Sequence, residues 1–230
     1  MTYDRSCVSV VILAKNEGVG LRSIIRSVKP YAGEIIVVDG HSTDHTATVA
    51  KHEHVRYLLD HGKGRGDGVR VGLSEAKHPI VVLVDADGSH EIKDVPKLIL
   101  PILEGKADMV IASRRTGGSF DREMNVDALL RSAGSDILTM MINGKFNTYF
   151  TDILYSFRTI RRSIVPRLGL TSNGFSIEQE MVVSALKYNK KIVEIPSREK
   201  TRAWGQTKLK TATGVSLFLD LCKRLYFSSQ

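Results

Sequence analysis

Two carboxylates separated by one residue, Asp85 and Asp87, come directly after the apolar run 80–84. A run of β-branched residues without polar alternation is typical of a strand that is buried on both faces. Both aspartates are therefore expected at its carboxyl end, the edge where open α/β sheets bind ligands. Hard carboxylate oxygens are suitable ligands for an Mg²⁺ or Mn²⁺ ion that carries a substrate diphosphate. His90 could add a nitrogen ligand to the metal or make only a polar contact. The alternative interpretation is an ordinary acidic turn, because Asp and Gly are common turn residues.

Polar side chains follow two further strand candidates. Asn16 and Glu17 come after the apolar run 8–13, and Asp39 ends the run 34–38. Three strand ends of this kind favour one shared cleft over three unrelated turns. An acidic group in such a cleft can bind the base or ribose of a nucleotide while a metal holds its phosphates.

Short β-branched runs alternate with helical patterns through the first half of the chain. The strand candidates are 8–13, 34–38, 55–59, 80–84 and 109–112, and the helical segments begin near residues 18, 43, 66 and 94. This alternation predicts βαβ units and an α/β fold with a mainly parallel central sheet flanked by helices.

The pattern changes after Arg114. A glycine-rich loop is followed by a helical stretch over 124–143, a mixed region to 171, a helix over 178–188, a strand over 191–195 and a polar loop over 196–208. No internal repeat or low-complexity linker divides the chain. We expect one catalytic domain over 1–210 and a C-terminal amphipathic helix over 211–230.

Composition limits the cellular setting and the partners. The chain has 230 residues, two cysteines, Cys7 and Cys222, and a formal net charge of +8. Distant cysteines without a signal-peptide pattern favour a reducing, cytoplasmic location. The positive charge favours anionic partners such as nucleotides, phospholipid surfaces or nucleic acid. A solvated basic surface without a partner is the alternative interpretation.

No apolar run approaches the roughly 20 residues that cross a bilayer, so no transmembrane segment is predicted. Apolar residues at helical spacing over 215–226, beside Lys223 and Arg224, could rest on the cytoplasmic face of a membrane. The same pattern fits an amphipathic helix that packs on the core.

Four motifs follow one another along the chain: Leu13 to Glu17 (LAKNE), 37–46, 63–72 and 85–90. With these motifs, and with 113–114, 131–135, 151–161, 174–180 and 202–209, the chain resembles a family 2 glycosyltransferase with the GT-A fold. The resemblance is closest to the dolichol-phosphate mannose synthase branch and covers nearly the whole chain.

The resemblance implies a site for a nucleotide-sugar donor. It assigns the nucleoside to Glu17 and Asp39, near Ala14 and Asn16, and it assigns the ribose, metal and diphosphate to Asp85, Ala86 and Asp87. Ser89 stands where the family has a metal-ligating glutamine, so the metal set is Asp85, Asp87 and Ser89, with His90 or water as the alternative. The late loop supplies Arg202 and Lys208 to the donor diphosphate. Lys63 and Gly64 belong to a phosphate cradle or to a flexible turn.

The resemblance also implies groups for the acceptor and for catalysis. Arg114, Arg131 and Ser135 match positions that grip an acceptor phosphate, and arginine suits this role because its planar fork donates two parallel hydrogen bonds. Asp152, Glu178 and Glu180 are the candidate general bases, and Asp87, Asp152, Arg114, Arg131 and Glu180 form the expected catalytic set. Acidic residues at a helix start are also favoured by the helix dipole, and Asp152 is either a local cap or a residue that faces the sugar.

The expected activity is inverting, metal-dependent transfer of a hexose from a GDP- or UDP-sugar to a polyprenyl or dolichyl phosphate. Gly40 replaces the second carboxylate of the family's usual Asp-Asp pair, and Ala14-Lys15 replaces a Thr-Tyr-like pair. The sequence therefore does not decide between a UDP-sugar and a GDP-sugar donor. A hydroxyl acceptor would need one of the bases. Nucleotidyl transfer usually requires a GGxGxR loop, whereas this chain has KNEG, and a nucleic-acid partner is not expected because no zinc spacing or aromatic motif accompanies the charge. The sequence is also compatible with a homo-oligomer.

Overall fold

The structure is a computed structural model that describes residues 3–118, 126–204 and 213–227. Within these ranges one sheet contains seven strands: β1 (Val8–Ala14), β2 (Glu34–Asp39), β3 (Arg56–Leu59), β4 (Ile80–Asp85), β5 (Met109–Ser113), β6 (Arg158–Arg161) and β7 (Ile192–Pro196). The strand order is β3-β2-β1-β4-β6-β5-β7. Neighbouring strands are parallel except for β6, which runs antiparallel to β4 and β5.

The helices that flank the sheet are α1 (Gly18–Val28), α2 (Thr46–His52), α3 (Arg65–Glu75), α4 (Val95–Leu103), α5 (Arg114–Gly117), α6 (Val126–Phe146), α7 (Ile177–Lys187) and α8 (Thr213–Cys222). Short 3₁₀ turns lie at Arg5–Cys7, Lys29–Tyr31, Ile92–Asp94 and Arg162–Leu168, and a π turn over Lys223–Phe227 continues α8. The helix expected near residue 43 begins three residues later, at Thr46.

Successive strand residues enter two separate cores, one on each face of the sheet. In the first core, Val10 and Ile12 of β1 pack with the apolar residues of α1 and α4. In the second core, on the other face, Val11 packs with α3, α6, α7 and α8. Because both faces are covered, the parallel strands consist of almost continuous apolar residues. The prediction of an α/β fold with a mainly parallel sheet is confirmed.

Strand β6 has no counterpart among the predicted strands, because its sequence is polar. Arg158 and Thr159 are nevertheless fully buried. The guanidinium of Arg158 donates hydrogen bonds to the carbonyl oxygens of Ile153, Tyr155 and Glu178 at 2.6–3.1 Å. These bonds compensate for the lost hydration of the cation, so an arginine can occupy the middle of the sheet.

Helix α8 packs one face on the second core and leaves the other exposed. Leu217 and Leu221 of α8 are buried, as is Leu225 in the π turn that follows, whereas Val215 is 65% exposed and Leu219 is 62% exposed. In the described part of the chain, no helix combines the length and the apolar character that crossing a bilayer would require.

Candidate active site

A cleft of about 540 Å³ opens at the carboxyl ends of β1, β2 and β4. Parallel strands bring their carboxyl ends to one edge, which explains why residues distant in the sequence meet here. The residues predicted for the site that line the cleft are Ala14, Asn16, Glu17, Gly64, Asp85, Ala86, Asp87, Ser89, Arg114, Glu178 and Arg202.

Asp85 ends β4, and its charge is balanced by the partly buried Arg65. Its Oδ1 lies 2.9 Å from Arg65 Nη2, although that contact is not a well-aligned hydrogen bond, and its Oδ2 accepts a hydrogen bond from Ser156 Oγ at 2.7 Å. Arg65 Nε also donates to Glu178 Oε1 at 2.8 Å. Burial is the largest single effect and raises the pKa of Asp85, but the positive charge of Arg65, together with the nearby imidazole of His90 and the hydrogen bond from Ser156, lowers it further, and the pKa falls to about 2. Asp85 is therefore ionised at neutral pH.

Asp87 lies at the tip of the turn and contacts a second arginine. Its Oδ2 lies 3.1 Å from Arg202 Nη2, and its Oδ1 accepts hydrogen bonds from the backbone N–H and the hydroxyl of Ser89, at 3.0 and 2.7 Å. Gly88 between them has φ +80°, a conformation that glycine adopts without strain. The Ser89 hydroxyl thus orients Asp87.

His90 lies behind the turn and not in the cleft. It is 2% exposed, and its ring stacks on Phe157 with centroids 4.6 Å apart. Its Nδ1 faces the backbone N–H of Asp85 at 3.4 Å, and its Nε2 faces Ser156 Oγ at 3.1 Å. Burial lowers the pKa of His90, so the ring is neutral. Both nitrogens are occupied in holding Asp85, which leaves neither for a metal.

The acidic residues after β1 and β2 differ in position. Glu17 lines the cleft and is 4% exposed. Asp39 is fully buried and does not line the cleft. Its oxygens accept hydrogen bonds from Ser42 N, Ser42 Oγ and the hydroxyl of Tyr57 at 2.6–2.8 Å. Burial, together with the hydrogen bond to Asp39, raises the pKa of Tyr57 to about 12. Asp39 organises the loop behind the predicted nucleoside position.

Arg114 reaches the cleft in a position set by Asp152. Arg114 Nε and Nη2 donate to the two oxygens of Asp152 at 2.6 and 3.0 Å, and the guanidinium carbon lies 4.9 Å from the ring centroid of Tyr155. Asp152 is 1% exposed and also accepts the Arg114 backbone N–H at 3.1 Å. Both of its oxygens are used to hold Arg114, which differs from the role of general base that the sequence suggested.

Glu178 and Glu180 also separate. Glu178 lines the cleft beside Arg65. Glu180 is 1% exposed and lies outside the cleft lining; its carboxylate accepts hydrogen bonds from Thr171, Ser172 and Arg224 at 2.6–2.9 Å. This geometry does not support Glu180 as a catalytic base.

Arg131 and Ser135 line a second groove, of about 290 Å³, between α6 and α8. The other residues of this groove are aliphatic, aromatic or glycine, and two of them, Leu154 and Leu217, line the cleft as well. The two spaces therefore adjoin. We refer to this space as the α6–α8 groove.

The glycine loop before α3 only partly fits a phosphate cradle. Gly64 lines the cleft, while Lys63 is exposed and outside its lining. The backbone N–H groups of Gly66 and Asp67 both point at Asn173 O, at 2.7 and 3.3 Å, so they do not face the cleft. Lys208 lies outside the described residues.

A family model described as glycosyl transferase family 2 matches residues 9–169. The chain belongs to this family. Glycosyltransferase AglJ of Haloferax volcanii is 31% identical over 193 residues, which make up 83% of this chain and 62% of AglJ. An uncharacterized glycosyltransferase of Mycobacterium tuberculosis is 28% identical over 202 residues, which make up 88% of this chain and 89% of that protein.

The fold is also that of solved structures. Glucosyl-3-phosphoglycerate synthase from Mycobacterium tuberculosis, crystallised with Mn²⁺, uridine diphosphate and phosphoglyceric acid, superposes with a TM-score of 0.75 over 97% of this chain and 80% of its own. The sequence identity is 18%, so this likeness concerns the fold. The predictions of a family 2 glycosyltransferase and of a GT-A fold are confirmed.

Several cleft residues of this family 2 chain were not anticipated individually. Four of them line the cleft: Arg65, Tyr155, Ser156 and Glu199. Trp204 is not in the lining but supports the acidic turn through a hydrogen bond to Ala86 O. Only the position of Arg65 in the 63–66 loop, a possible phosphate cradle, indicated a role for it in the site. The others lie in segments whose sequence shows only a mixed or polar pattern.

Proposed function

We propose that this family 2 chain is a metal-dependent inverting hexosyltransferase that uses a GDP- or UDP-sugar and a polyprenyl-phosphate acceptor, as in the dolichol-phosphate mannose synthase branch. The observation that carries the proposal is the pairing of each cleft aspartate with an arginine, Asp85 with Arg65 and Asp87 with Arg202. Acidic and basic groups so arranged suit a cation and a diphosphate respectively.

The two aspartates fit a divalent cation. Both are hard oxygen donors on one turn, and Asp85 Oδ1 accepts no well-aligned hydrogen bond although it is buried. Across the described ranges no group of three or more His, Cys, Asp or Glu side chains is placed to hold a metal by itself. Asp85 and Asp87 would hold the cation, which when bound supplies positive charge to the leaving diphosphate.

Arg202 is proposed to stabilise the negative charge that develops on the leaving diphosphate. In transfer, the acceptor oxygen forms a bond to the anomeric carbon while the bond to the diphosphate oxygen breaks. Charge grows on the diphosphate, and a guanidinium already beside Asp87 can donate hydrogen bonds to it. An interaction that strengthens as the bond breaks accelerates the step.

The carboxylates of the cleft region favour a phosphate acceptor over a hydroxyl. Asp152 is occupied by Arg114, Glu180 lies outside the cleft lining, and Glu178 is paired with Arg65. A phosphate acceptor is already anionic near neutral pH and needs no strong base. If the acceptor is a hydroxyl, Glu178 is the remaining candidate base of the three.

The α6–α8 groove is the proposed binding site for the lipid chain of the acceptor. The groove is apolar, adjoins the cleft at Leu154 and Leu217, and carries Arg131 and Ser135 in its lining. Arg114 and Arg131 would bind the phosphate while the apolar walls cover the chain next to it. A cytoplasmic protein attached to the membrane surface would meet such an acceptor.

The test is transfer of a labelled hexose from UDP- or GDP-sugars with Mn²⁺ to a short polyprenyl phosphate in vesicles. We expect label in the lipid with one nucleotide only, none after EDTA, and none on the unphosphorylated polyprenol. Labelling of the polyprenol, or only of a water-soluble acceptor such as phosphoglyceric acid, would contradict the lipid-phosphate proposal.

The metal assignment has its own test. Asp87→Asn removes a charge but keeps an oxygen that can accept the Ser89 hydrogen bonds, so the fold should persist. We expect transfer to fall by about 10²-fold or more, with little change in melting temperature. Glu104→Gln, a carboxylate removed just after α4, should retain activity. Near-normal metal-dependent turnover of Asp87→Asn would refute the assignment.

A further inference from the structure

Residues 197–204, which we call the strap, run back from β7 across the turn that carries the two aspartates. The backbone N–H of Lys200 donates to Ser89 O at 2.8 Å, and the N–H of Ala203 donates to Asp87 O at 3.1 Å. The strap is thus bonded to the backbone of the acidic turn at two points.

The end of the strap is held by a side chain. Trp204 Nε1 donates a hydrogen bond to Ala86 O at 2.8 Å. Its indole ring lies where two side chains are missing: a Cβ on Gly20 of α1 would overlap the ring, and a Cβ on Gly88 would lie 3.1 Å from Cη2. The ring in this slot therefore requires glycine at position 20 and leaves little room for a side chain at position 88.

We propose that Trp204 is a latch that holds the strap closed over Asp87 and thereby positions Arg202 for the donor. The inference rests on the proposed function. Arg202 lies between two anchored residues, since Ala203 N–H and the indole hold one side and Lys200 N–H holds the other. Its backbone is therefore fixed within reach of Asp87, and only its side chain needs ordering when a diphosphate arrives.

The chain offers a direct reporter of this latch. Trp204 is its single tryptophan, so fluorescence excited at a wavelength that tyrosine does not absorb reports on this slot alone. The indole packs against the first core, and we expect a blue-shifted emission in the ligand-free protein.

Gly20→Ala tests the latch without changing the sequence of the strap. Alanine is the better helix former, so α1 should not be weakened, while the three atoms nearest to the new Cβ all belong to the indole. We expect red-shifted emission, stronger acrylamide quenching, and about 2- to 10-fold weaker binding of GDP or UDP with Mn²⁺, whichever nucleotide binds the wild-type protein. The melting temperature without ligand should be close to that of the wild type.

The matched control is Gly144→Ala, because this glycine of α6 is exposed and its Cβ would meet nothing within 4 Å. Emission and nucleotide affinity should not change. In the Trp204→Ala background, adding Gly20→Ala should weaken binding no further, since the clash has been removed.

Two results would overturn the latch while leaving the proposed function intact. One is wild-type emission and affinity in Gly20→Ala, and the other is fully additive losses in the double variant. If neither nucleotide binds the wild-type protein, the proposed function fails, and the positioning role of Trp204 fails with it.

Discussion

At the scale of single residues, the acidic side chains divide according to their partners. Among the acidic residues predicted for the site, four line the cleft, namely Glu17, Asp85, Asp87 and Glu178. The other three are buried and accept hydrogen bonds from neighbouring donors: Asp39, Asp152 and Glu180. A buried carboxylate whose oxygens already accept three or more hydrogen bonds is poorly placed to take a proton from a substrate. These three residues are better understood as positioning groups.

Asp152→Asn distinguishes a positioning residue from a base. Asparagine keeps one acceptor for Arg114 but loses the charge, so we expect kcat to fall by about 10-fold and the shape of the pH–rate profile to be unchanged. Loss of a general base would cost roughly 10²–10⁴-fold. A profile that loses its acidic limb in the variant would show that Asp152 does act as the base.

At the scale of elements, α7 presents two acidic residues to different surroundings. Residues two apart on a helix do not share a face, so Glu178 contacts Arg65 while Glu180 contacts the 171–172 segment and Arg224. Glu180 thereby ties α7 to the end of α8. Burial raises the pKa of Glu180, but hydrogen bonds from Ser172 and Thr171 and the charge of Arg224 lower it further than burial raises it.

Glu180→Gln should reduce stability in a pH-dependent way. Because the folded pKa is depressed, the carboxylate stabilises the native state above the unfolded value of about 4.3 and loses this effect as pH falls through the folded pKa. We expect a loss of about 3 kcal/mol in urea unfolding at pH 7 and a smaller difference near pH 4.

The control for this loss is Glu75→Gln, which removes a half-exposed partner of Arg56 and should cost less than about 1 kcal/mol. A Glu180→Gln difference that grows on acidification, or none at pH 7, would contradict the role given to Glu180.

At the scale of the whole molecule, the polar cleft and the apolar α6–α8 groove meet at Leu154 and Leu217. Helix α8 forms one wall of that groove and shares the second core with α6 and α7. The predicted boundary at 210/211 stays a prediction, and we expect α8 to unfold together with the rest. Attachment to a membrane surface also stays a prediction.

Val215→Asp tests the groove, because Val215 lines it and is 65% exposed, so the fold should tolerate the charge. We expect the KM for polyprenyl phosphate in vesicles to rise by about 10-fold, since apolar contact is lost, while nucleotide affinity is unchanged. Leu103→Asp places the same charge at the end of α4, on an exposed residue outside the groove, and should have no effect. Equal KM values for both variants would argue against the groove as the lipid site.

The local pattern was sufficient for the parallel strands, most helix positions, the acidic turn after β4 and Arg114 after β5. Periodicity and strand ends are properties of adjacent residues, and parallel topology brings strand ends to one edge. Strand β6 escaped prediction because its burial depends on carbonyl groups outside the strand, which bind Arg158.

Only the tertiary structure decided which carboxylates face the cleft and which are satisfied behind it. Arg65 and Glu178 are 113 residues apart, and Trp204 and Ala86 are 118 apart. The pairing of a charge, and the filling of a slot left by two glycines, depend on groups that meet only when the sheet and its helices are assembled. The sequence by itself therefore determined the fold class, the family and the acidic turn, while the long-range contacts assigned each side chain its surroundings.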